Sequence, residues 1–393
     1  MTSNRVALLS GLLGFLGCFA VTSGFALLTP LSTSPDEPDH WRQAYAVWSG
    51  QSNLIGTPDP KDPATTGKYR VPGYMSGYLA QCTYQQSAVT ADCVPDPAGT
   101  ELVTDYASTA GYSPTFYFAT GWVTRFAEGP VALYGLRLAS GAIFSVIVGL
   151  AVGVLRHAGM GWRTHMALLL GLTPSVCFLA GTTNPSSLEV ASLALLVVIQ
   201  WRWFRTPAGN GHWYWFAALV VTGLVAATVR PLSGLLAGLA VAATSLAFFP
   251  RIHWRRYGWK VAILLVVVAL FVARRLLSEV GMSSGGTGGA AQESYLTSVT
   301  AIWSSLWKGL SLPANWVAQM GWLDTGSNAV STATWFAAIG LVILTAVRRA
   351  GSRRVVAAVL VLVALLVMWL YLDSVYTRSL NIPFWQARYG APL

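Results

Sequence analysis

The chain has 393 residues, 54% hydrophobic and only 10% charged, where an ordinary soluble protein carries about 25% charged residues. A mean hydropathy of +0.53 and 17 tryptophans point the same way, and a water-soluble globular fold does not fit. The formal charge of +10 is accounted for by the sidedness of the loops described below, so nucleic acid is not an implied partner.

A bilayer-crossing helix needs about 20 mostly apolar residues. Such runs are read at 6–29, 131–155, 164–182, 186–203, 213–229, 231–249, 259–277, 333–347 and 354–372. They predict an all-α polytopic membrane protein of about nine transmembrane helices, a single membrane domain over 1–393. The first run lacks a small-residue cleavage site, and Phe15-Leu16-Gly17-Cys18 is a poor lipoprotein box, so it reads as an uncleaved helix. Pro114–Phe126 is apolar but short and contains Arg125, which places it at the interface. With Arg5 inside, the short inner loops collect Arg156, Arg163, Arg202, Arg205, Arg251, Arg255, Arg256, Lys260 and Arg348 to Arg354, and no acidic residue. This positive-inside pattern puts the N-terminus in the cytoplasm and the acidic residues outside.

The first outer segment, 30–130, is too long for a connector, and loops of that length usually carry function. Near its start Ser34 can cap a helix with Pro35 at the first position and Glu37 completing a capping box. Trp41, Ala44, Tyr45 and Trp48 recur at helical spacing, which predicts an amphipathic interfacial helix with its apolar stripe toward lipid. A helix dipole explains one acid in the first turn, but not Asp36, Glu37, Asp39 and His40 together, so these four are candidate site residues. Cys82 and Cys93 share this loop on the oxidising side, where a disulfide closing a short hairpin would contribute roughly 2–4 kcal/mol. Cys18 and Cys177 fall inside spans as core residues.

The second outer segment, 278–332, opens on the flexible run Gly281–Gly289 and ends at Gly321-Trp322-Leu323-Asp324-Thr325, where Asp324 is either an N-cap of the next helix or a site residue. Three arginines stand in unusual places: Arg137 two turns into a span, Arg230 before Pro231 at an outer turn, and Arg388 near the end. Intramembrane charges default to function, and arginine grips phosphate bidentately.

Pro35-Asp36-Glu37-Pro38-x-His40 resembles the signature of a bacterial membrane-protein family known as domain of unknown function 2142. The resemblance continues through Ser113-Pro114-Thr115-Phe116-Tyr117, Leu136-Arg137-Leu138, Asn184-Pro185, Gly321-Trp322-Leu323-Asp324-Thr325 and Gln386-Ala387-Arg388-Tyr389. Two positions depart: Ser186 follows Asn184-Pro185 where the family tends to have Asp, and Ala387 stands where it has Gly. The family also runs on into further membrane helix, so a continuation beyond Leu393 is expected. Its layout is similar to that of the C-type (GT-C) glycosyltransferases, which implies a GT-C-like fold, a polyprenyl-phosphate-linked sugar donor and an inverting transfer to a glycan or glycolipid acceptor.

On that reading the leaving phosphate needs no acid, only a base for the acceptor hydroxyl and cations for the anion. Asp36 is the favoured base, Glu37 the second choice because of its capping role, and His40 would orient a carboxylate or the acceptor. Asp39, Arg137, Arg230, Trp322, Asp324, Gln386, Arg388 and Tyr389 are expected to bind substrate. No cofactor is required, although Asp36 and Glu37 offer oxygen ligands to Mg or Mn. Adjacent carboxylates cannot flank a sugar, which disfavours a hydrolase. A transporter or flippase, or a non-catalytic subunit of an envelope-assembly complex, are the rival classes.

Overall fold

The computed structural model describes residues 3–51, 67–84, 86, 88–206, 210–230, 232–248, 258–260, 262, 266, 317–321, 325–326, 328–348, 351–352 and 355–363. It is mostly helical: α1 (Ser3–Leu28), α2 (Glu37–Trp48), α3 (Pro114–Gly121), α4 (Gly129–His157), α5 (Trp162–Gly171), α6 (Pro174–Ala180), α7 (Ser186–Arg205), α8 (Asn210–Thr228), α9 (Ser233–Ala247) and α10 (Ala329–Val347). Of these, Asn4–Leu28, Gly129–His157 and Ser186–Arg205 are long and apolar enough to cross a membrane. The run expected at 164–182 is broken into α5 and α6, bent by 66°, and makes a fourth span if the pair is taken together. Pro174 causes the break: it has no N–H to donate and disfavours helical geometry in the residue before it, while Thr173 Oγ1 accepts from Val176 N to start α6 afresh. Shorter apolar helices lie at α8, α9 and α10, matching the runs expected there. Most of the expected spans 259–277 and 354–372 lies outside the described residues.

The chain divides into two compact units. The first comprises Met1–Leu195, Thr228–Pro231 and Ala318–Gly326. Its main helix pair is α1 with α4, and their backbones approach closely because both carry glycine where they cross. A Cβ on Gly149 would lie 2.7 Å from the Gly11 carbonyl oxygen, and at the contact of α1 with the end of α6 one on Gly181 would lie 2.5 Å from that of Thr22. Leu8, Leu13 and Leu28 on α1 remain exposed, as a lipid-facing surface requires.

The long segment between α1 and α4 holds more than helix. Strands β1 (Gly67–Pro72) and β2 (Leu102–Ala107) pair antiparallel from Gly67↔Ala107 to Pro72↔Leu102. Gly67, Tyr69 and Val71 are buried while Lys68 and Arg70 between them are exposed, the alternation of a half-buried strand. Cys82 and Cys93 form the expected disulfide in the segment between the strands. Cys177 is a buried free thiol and Cys18 a half-buried one.

The lipid-facing expectation for α2 is corrected at Trp41 and Ala44, while Tyr45 and Trp48 of the same stripe are half-buried. Trp41, Ala44 and Ala46 are buried inside the protein together with Glu37, Asp39, His40, Arg42 and Gln43. The polar face is covered by protein as well, through bonds to β1, β2, α3 and the α6–α7 turn; Tyr69 Oη, for example, donates to Gln43 Oε1 at 2.6 Å. The exposed aromatic side chains of this segment include Phe118, Trp122 and Phe126, on α3 and the turn after it, and Tyr78 and Tyr84 near the disulfide.

The second unit comprises Leu196–Ala227, Leu232–Val317 and Ser327–Leu393. Here Gln200 Nε2 on α7 donates to Val241 O and Ser245 Oγ on α9. Lys260 Nζ stands 3.1 Å from His212 Nε2 and 4.0 Å from the centre of the Trp213 ring. In the segment of the first unit just before α10, β3 (Gln319–Met320) pairs with β4 (Thr325–Gly326). The cap of α10 is Asn328, whose Oδ1 accepts from Ser331 N at 2.8 Å. Trp322 and Asp324 lie outside the described residues, as do Gln386, Arg388 and Tyr389.

Candidate functional site

Asp36 is the N-cap of α2, but not through the expected capping box. Its backbone is left-handed, φ 59°, and its side chain makes no capping bond. Ser34 does not cap: its carbonyl accepts from Glu37 N, and its hydroxyl donates to Thr182 Oγ1 at 3.1 Å. Ser32, four residues earlier, also has a positive φ, and these are the two non-glycine residues of that kind among the described ones. A left-handed non-glycine residue costs roughly 1–2 kcal/mol and persists only where its surroundings hold it.

What holds it is Glu37. Its Oε1 accepts from Arg137 Nε and its Oε2 from Arg137 Nη2, both at 2.7 Å, and both side chains are fully buried. Arg137 Nη1 donates to the carbonyls of Ala26 and Thr29, and Nη2 to that of Pro30. These contacts engage all five guanidinium N–H groups. Arg137 therefore neither reaches outward nor has a donor left for a substrate phosphate, and the clamp expected of it passes to other cations. Glu37 Oε1 also accepts from Thr183 N at 3.1 Å. Removing one partner of such a buried pair costs about 3–5 kcal/mol.

Asp39 is equally engaged. Oδ1 accepts from Arg42 Nη1 at 2.5 Å and from Tyr78 Oη at 3.1 Å, and Oδ2 accepts from the Ser108 backbone N and hydroxyl. Burial pushes its carboxyl above the ordinary carboxylate range, against the pull of Arg42 and Ser108. Burial, and then the Asp39 charge, push the Tyr78 phenol up as well. Arg42 further donates to the carbonyls of Met75, Tyr106 and Gly77, so Asp39 and Arg42 tie α2 to the hairpin. Among the motif's three carboxylates, Asp36 alone is half-buried while Glu37 and Asp39 are buried.

His40 is buried, with Nδ1 2.9 Å from Tyr117 Oη on α3; the tautomer decides which of the two donates. Burial holds the Tyr117 phenol well above its ordinary range, so it keeps its proton. The Tyr112 ring stands 6.0 Å from His40 on one side and 6.0 Å from the Arg230 guanidinium on the other. Arg230 Nη1 donates to Ser186 Oγ at 3.1 Å and to Glu189 Oε2 at 3.3 Å, both in the first turn of α7. That turn is fixed by Asn184, whose Oδ1 accepts from Ser186 N while Nδ2 donates to Pro35 O at 3.4 Å. Trp41 Nε1 donates to Thr183 Oγ1, which completes the seam between the acidic turn and the start of α7.

Four segments far apart in sequence thus meet at the acidic turn: Tyr117 across 77 residues, Arg137 across 100, Asn184 across 149, and Arg230 by way of Tyr112. Three of them are the elements that carry the family resemblance. The chain belongs to the DUF2142 family. The model of that family, described as a predicted membrane protein, matches residues 19–393. No curated protein and no solved structure matches the chain. In this DUF2142 member the sequence elements Ser113–Tyr117, Leu136–Leu138 and Asn184–Pro185 all supply contacts to one turn.

Thr182, Thr183, Tyr112 and Glu189 were not singled out from sequence as site residues. Glu189 is buried and stands in the first turn of α7. Tyr117 was flagged inside a motif without a role. Among the described residues no group of three or more His, Cys, Asp or Glu is arranged to hold a metal ion, and Glu37, one of the two expected oxygen donors, is paired with Arg137.

Proposed function

We propose that the protein is a membrane glycosyltransferase that moves a sugar from a polyprenyl-phosphate donor to a cell-envelope glycan or glycolipid acceptor at the outer face of a bacterial plasma membrane. The observation that carries this reading is Asp36. It is the one partly exposed carboxylate of the Pro-Asp-Glu-Pro motif, held left-handed by a buried latch. An enzyme that needs a base at a fixed place gains from such pre-organisation, whereas a purely structural turn would favour glycine there.

In this scheme the Asp36 carboxylate takes the acceptor hydroxyl's proton as its oxygen bonds to the anomeric carbon. The bond from that carbon to the phosphate oxygen breaks, and the phosphate leaves as an anion. Arg230 is the cation of the set that would receive it, with Arg388 as a second. His40, oriented by Tyr117, shares the wall with Tyr112 and would position the acceptor. Adjacent carboxylates acting on opposite faces of a sugar are not needed, and a monophosphate leaving group needs no divalent cation. The nine-span, GT-C-like arrangement with the N-terminus in the cytoplasm belongs to the same proposal. It is supported by the basic inner loops and by α1, α4 and α7.

The test is envelope glycan composition in a strain depleted of the protein and complemented with wild type, Asp36→Asn or Glu37→Gln, with membrane levels of each followed in parallel. Depletion is expected to remove a defined glycan, and a well-expressed Asp36→Asn is expected not to restore it. Full restoration by Asp36→Asn would overturn the transferase reading and favour transport or a scaffold subunit of an envelope complex.

A further inference from the structure

In the second unit, where α7 hands over to α8, cations lie on tryptophan rings. The Arg202 guanidinium carbon stands 5.2 Å from the centre of the Trp215 ring, and that of Arg205, three residues on, 5.1 Å from the centre of Trp201. Beside them the Lys260 ammonium lies over Trp213. Arg202 Nη1 donates to Thr206 Oγ1 at 2.9 Å, while its Nε is buried and has no acceptor among the described residues. Arg205 is exposed. The sequence holds no acidic residue between Glu189 and Glu279, and among the described residues neither arginine pairs with a carboxylate. The negative end of the α7 dipole accounts for basic residues in its last turn, but not for a ring under each of them. Exposed positions on α8 include Trp213, Tyr214, Ala217, Val221 and Leu224. From Tyr214 onward these recur at helical spacing and form one apolar stripe, with an aromatic girdle at its start.

We propose that Arg202 and Arg205 form a binding site for the phosphate of an anionic phospholipid such as phosphatidylglycerol, separate from the acid-motif site. An aromatic ring takes the face of a guanidinium and leaves its edge, where the N–H groups lie in plane, and a phosphate takes that edge. An acidic side chain would compete for it, and these two arginines have none. A buried donor without an acceptor is costly, and Arg202 Nε is the donor that such a ligand satisfies as the side chain turns over its ring. The neighbouring surface selects a lipid over a soluble anion. Trp213 and Tyr214 mark headgroup level, and the stripe running on to Val221 and Leu224 offers apolar surface to acyl chains. On the orientation proposed above, this is the inner leaflet.

The test uses the full chain in neutral detergent with phosphatidylglycerol or phosphatidylcholine added. Bound lipid is counted by native mass spectrometry, and stabilisation is followed by thermal unfolding. Wild type is expected to hold phosphatidylglycerol about 10-fold more tightly than phosphatidylcholine. Arg202→Gln combined with Arg205→Gln is expected to erase that preference. Arg202→Lys combined with Arg205→Lys keeps both charges but loses the planar edge, and is expected to lose most of the preference as well. Trp215→Leu keeps both guanidiniums and removes the ring that holds one of them, and is expected to weaken phosphatidylglycerol binding several-fold. These last two variants decide the matter should the glutamine variant not accumulate. A preference unchanged in either of them would reduce the site to attraction by net charge and overturn the proposal. Equal retention of the two lipids by wild type would overturn it too, as would displacement of phosphatidylglycerol by inorganic phosphate. None of these outcomes bears on the Asp36→Asn glycan assay, because the acid motif belongs to the other unit.

Discussion

Arg137 and Glu37 meet through two contacts of 2.7 Å with both side chains fully buried, whereas Arg230 Nη1 stands 3.3 Å from Glu189 Oε2 with the arginine partly exposed. The residue types are the same and both pairs belong to the first unit. What differs is the geometry and burial: the first pair is a short two-point fork sealed from solvent, and the second includes a longer contact at a partly exposed guanidinium. Arg137 is surrounded by three backbone carbonyls besides its carboxylate, so the fold needs it and a ligand cannot have it. For Arg230 the contacts include Ser186 Oγ at 3.1 Å and Glu189 Oε2 at 3.3 Å, and the guanidinium keeps 10% of its surface exposed. A charge inside a membrane protein is therefore read by its coordination, and depth alone does not separate a latch from a binding group.

The largest effect expected from breaking this contrast is at Arg137. Arg137→Gln leaves Glu37 buried without its cation and strips hydrogen bonds from the carbonyls of Ala26, Thr29 and Pro30. It should cost about 3–5 kcal/mol, measured as loss of folded protein from the membrane and an early thermal transition in detergent. Arg137→Lys should rescue little, since a point ammonium cannot reproduce a five-donor fork. If Arg137→Lys were stable and only inactive, Arg137 would belong with Arg230 and the distinction would collapse.

Arg230→Gln should be milder for the fold and severe for function. One charge-assisted contact is lost, for about 1–2 kcal/mol, while the glycan product disappears at normal membrane levels of protein. Instability comparable to that of Arg137→Gln would show that Arg230 is a second latch. Tyr117→Phe comes next: it removes the hydroxyl beside His40 Nδ1, should cost about 1 kcal/mol in the same thermal measurement, and should slow glycan formation by freeing the imidazole to rotate.

The sequence made α1, α4 and α7 legible because uninterrupted apolar length is a local property. Cys82–Cys93 was legible for a similar reason, the two residues being only 11 apart in sequence. The acidic motif was visible as a cluster, but its division of labour was not. Three adjacent acids are interchangeable until Arg137, 100 residues on, claims Glu37, and Arg42 and Ser108 claim Asp39. Capping chemistry pointed to Ser34 and Glu37, and tertiary pairing overrode it by giving both side chains better partners. The hairpin had a readable signal in the alternation at Lys68 to Val71. Its two strands are separated by a disulfide-bearing insert, so no turn residues joined them. The burial of α2 was the hardest to foresee. A stripe of Trp41 and Ala44 fits a lipid surface and a protein interior equally well, and only its polar partners distinguish the two.

Asp36 yields the smallest change in stability and the sharpest separation of fold from function. Its left-handed backbone disfavours any side chain by roughly 1–2 kcal/mol. Asp36→Gly removes that penalty but adds freedom to the unfolded chain worth about 0.4–1 kcal/mol. The net expectation is a gain of at most about 1 kcal/mol in thermal stability, with glycan formation abolished because the carboxylate is gone. Asp36→Ala keeps the strain and loses the short polar side chain that tolerates it, so it should fall below wild type in stability and be equally inactive. The order glycine at or above aspartate, aspartate above alanine, with only aspartate active, is what a strained, pre-organised carboxylate requires. An Asp36→Gly protein less stable than wild type would mean that the carboxylate fastens the turn itself, and the catalytic role would then have to be sought among the remaining polar groups around Arg230.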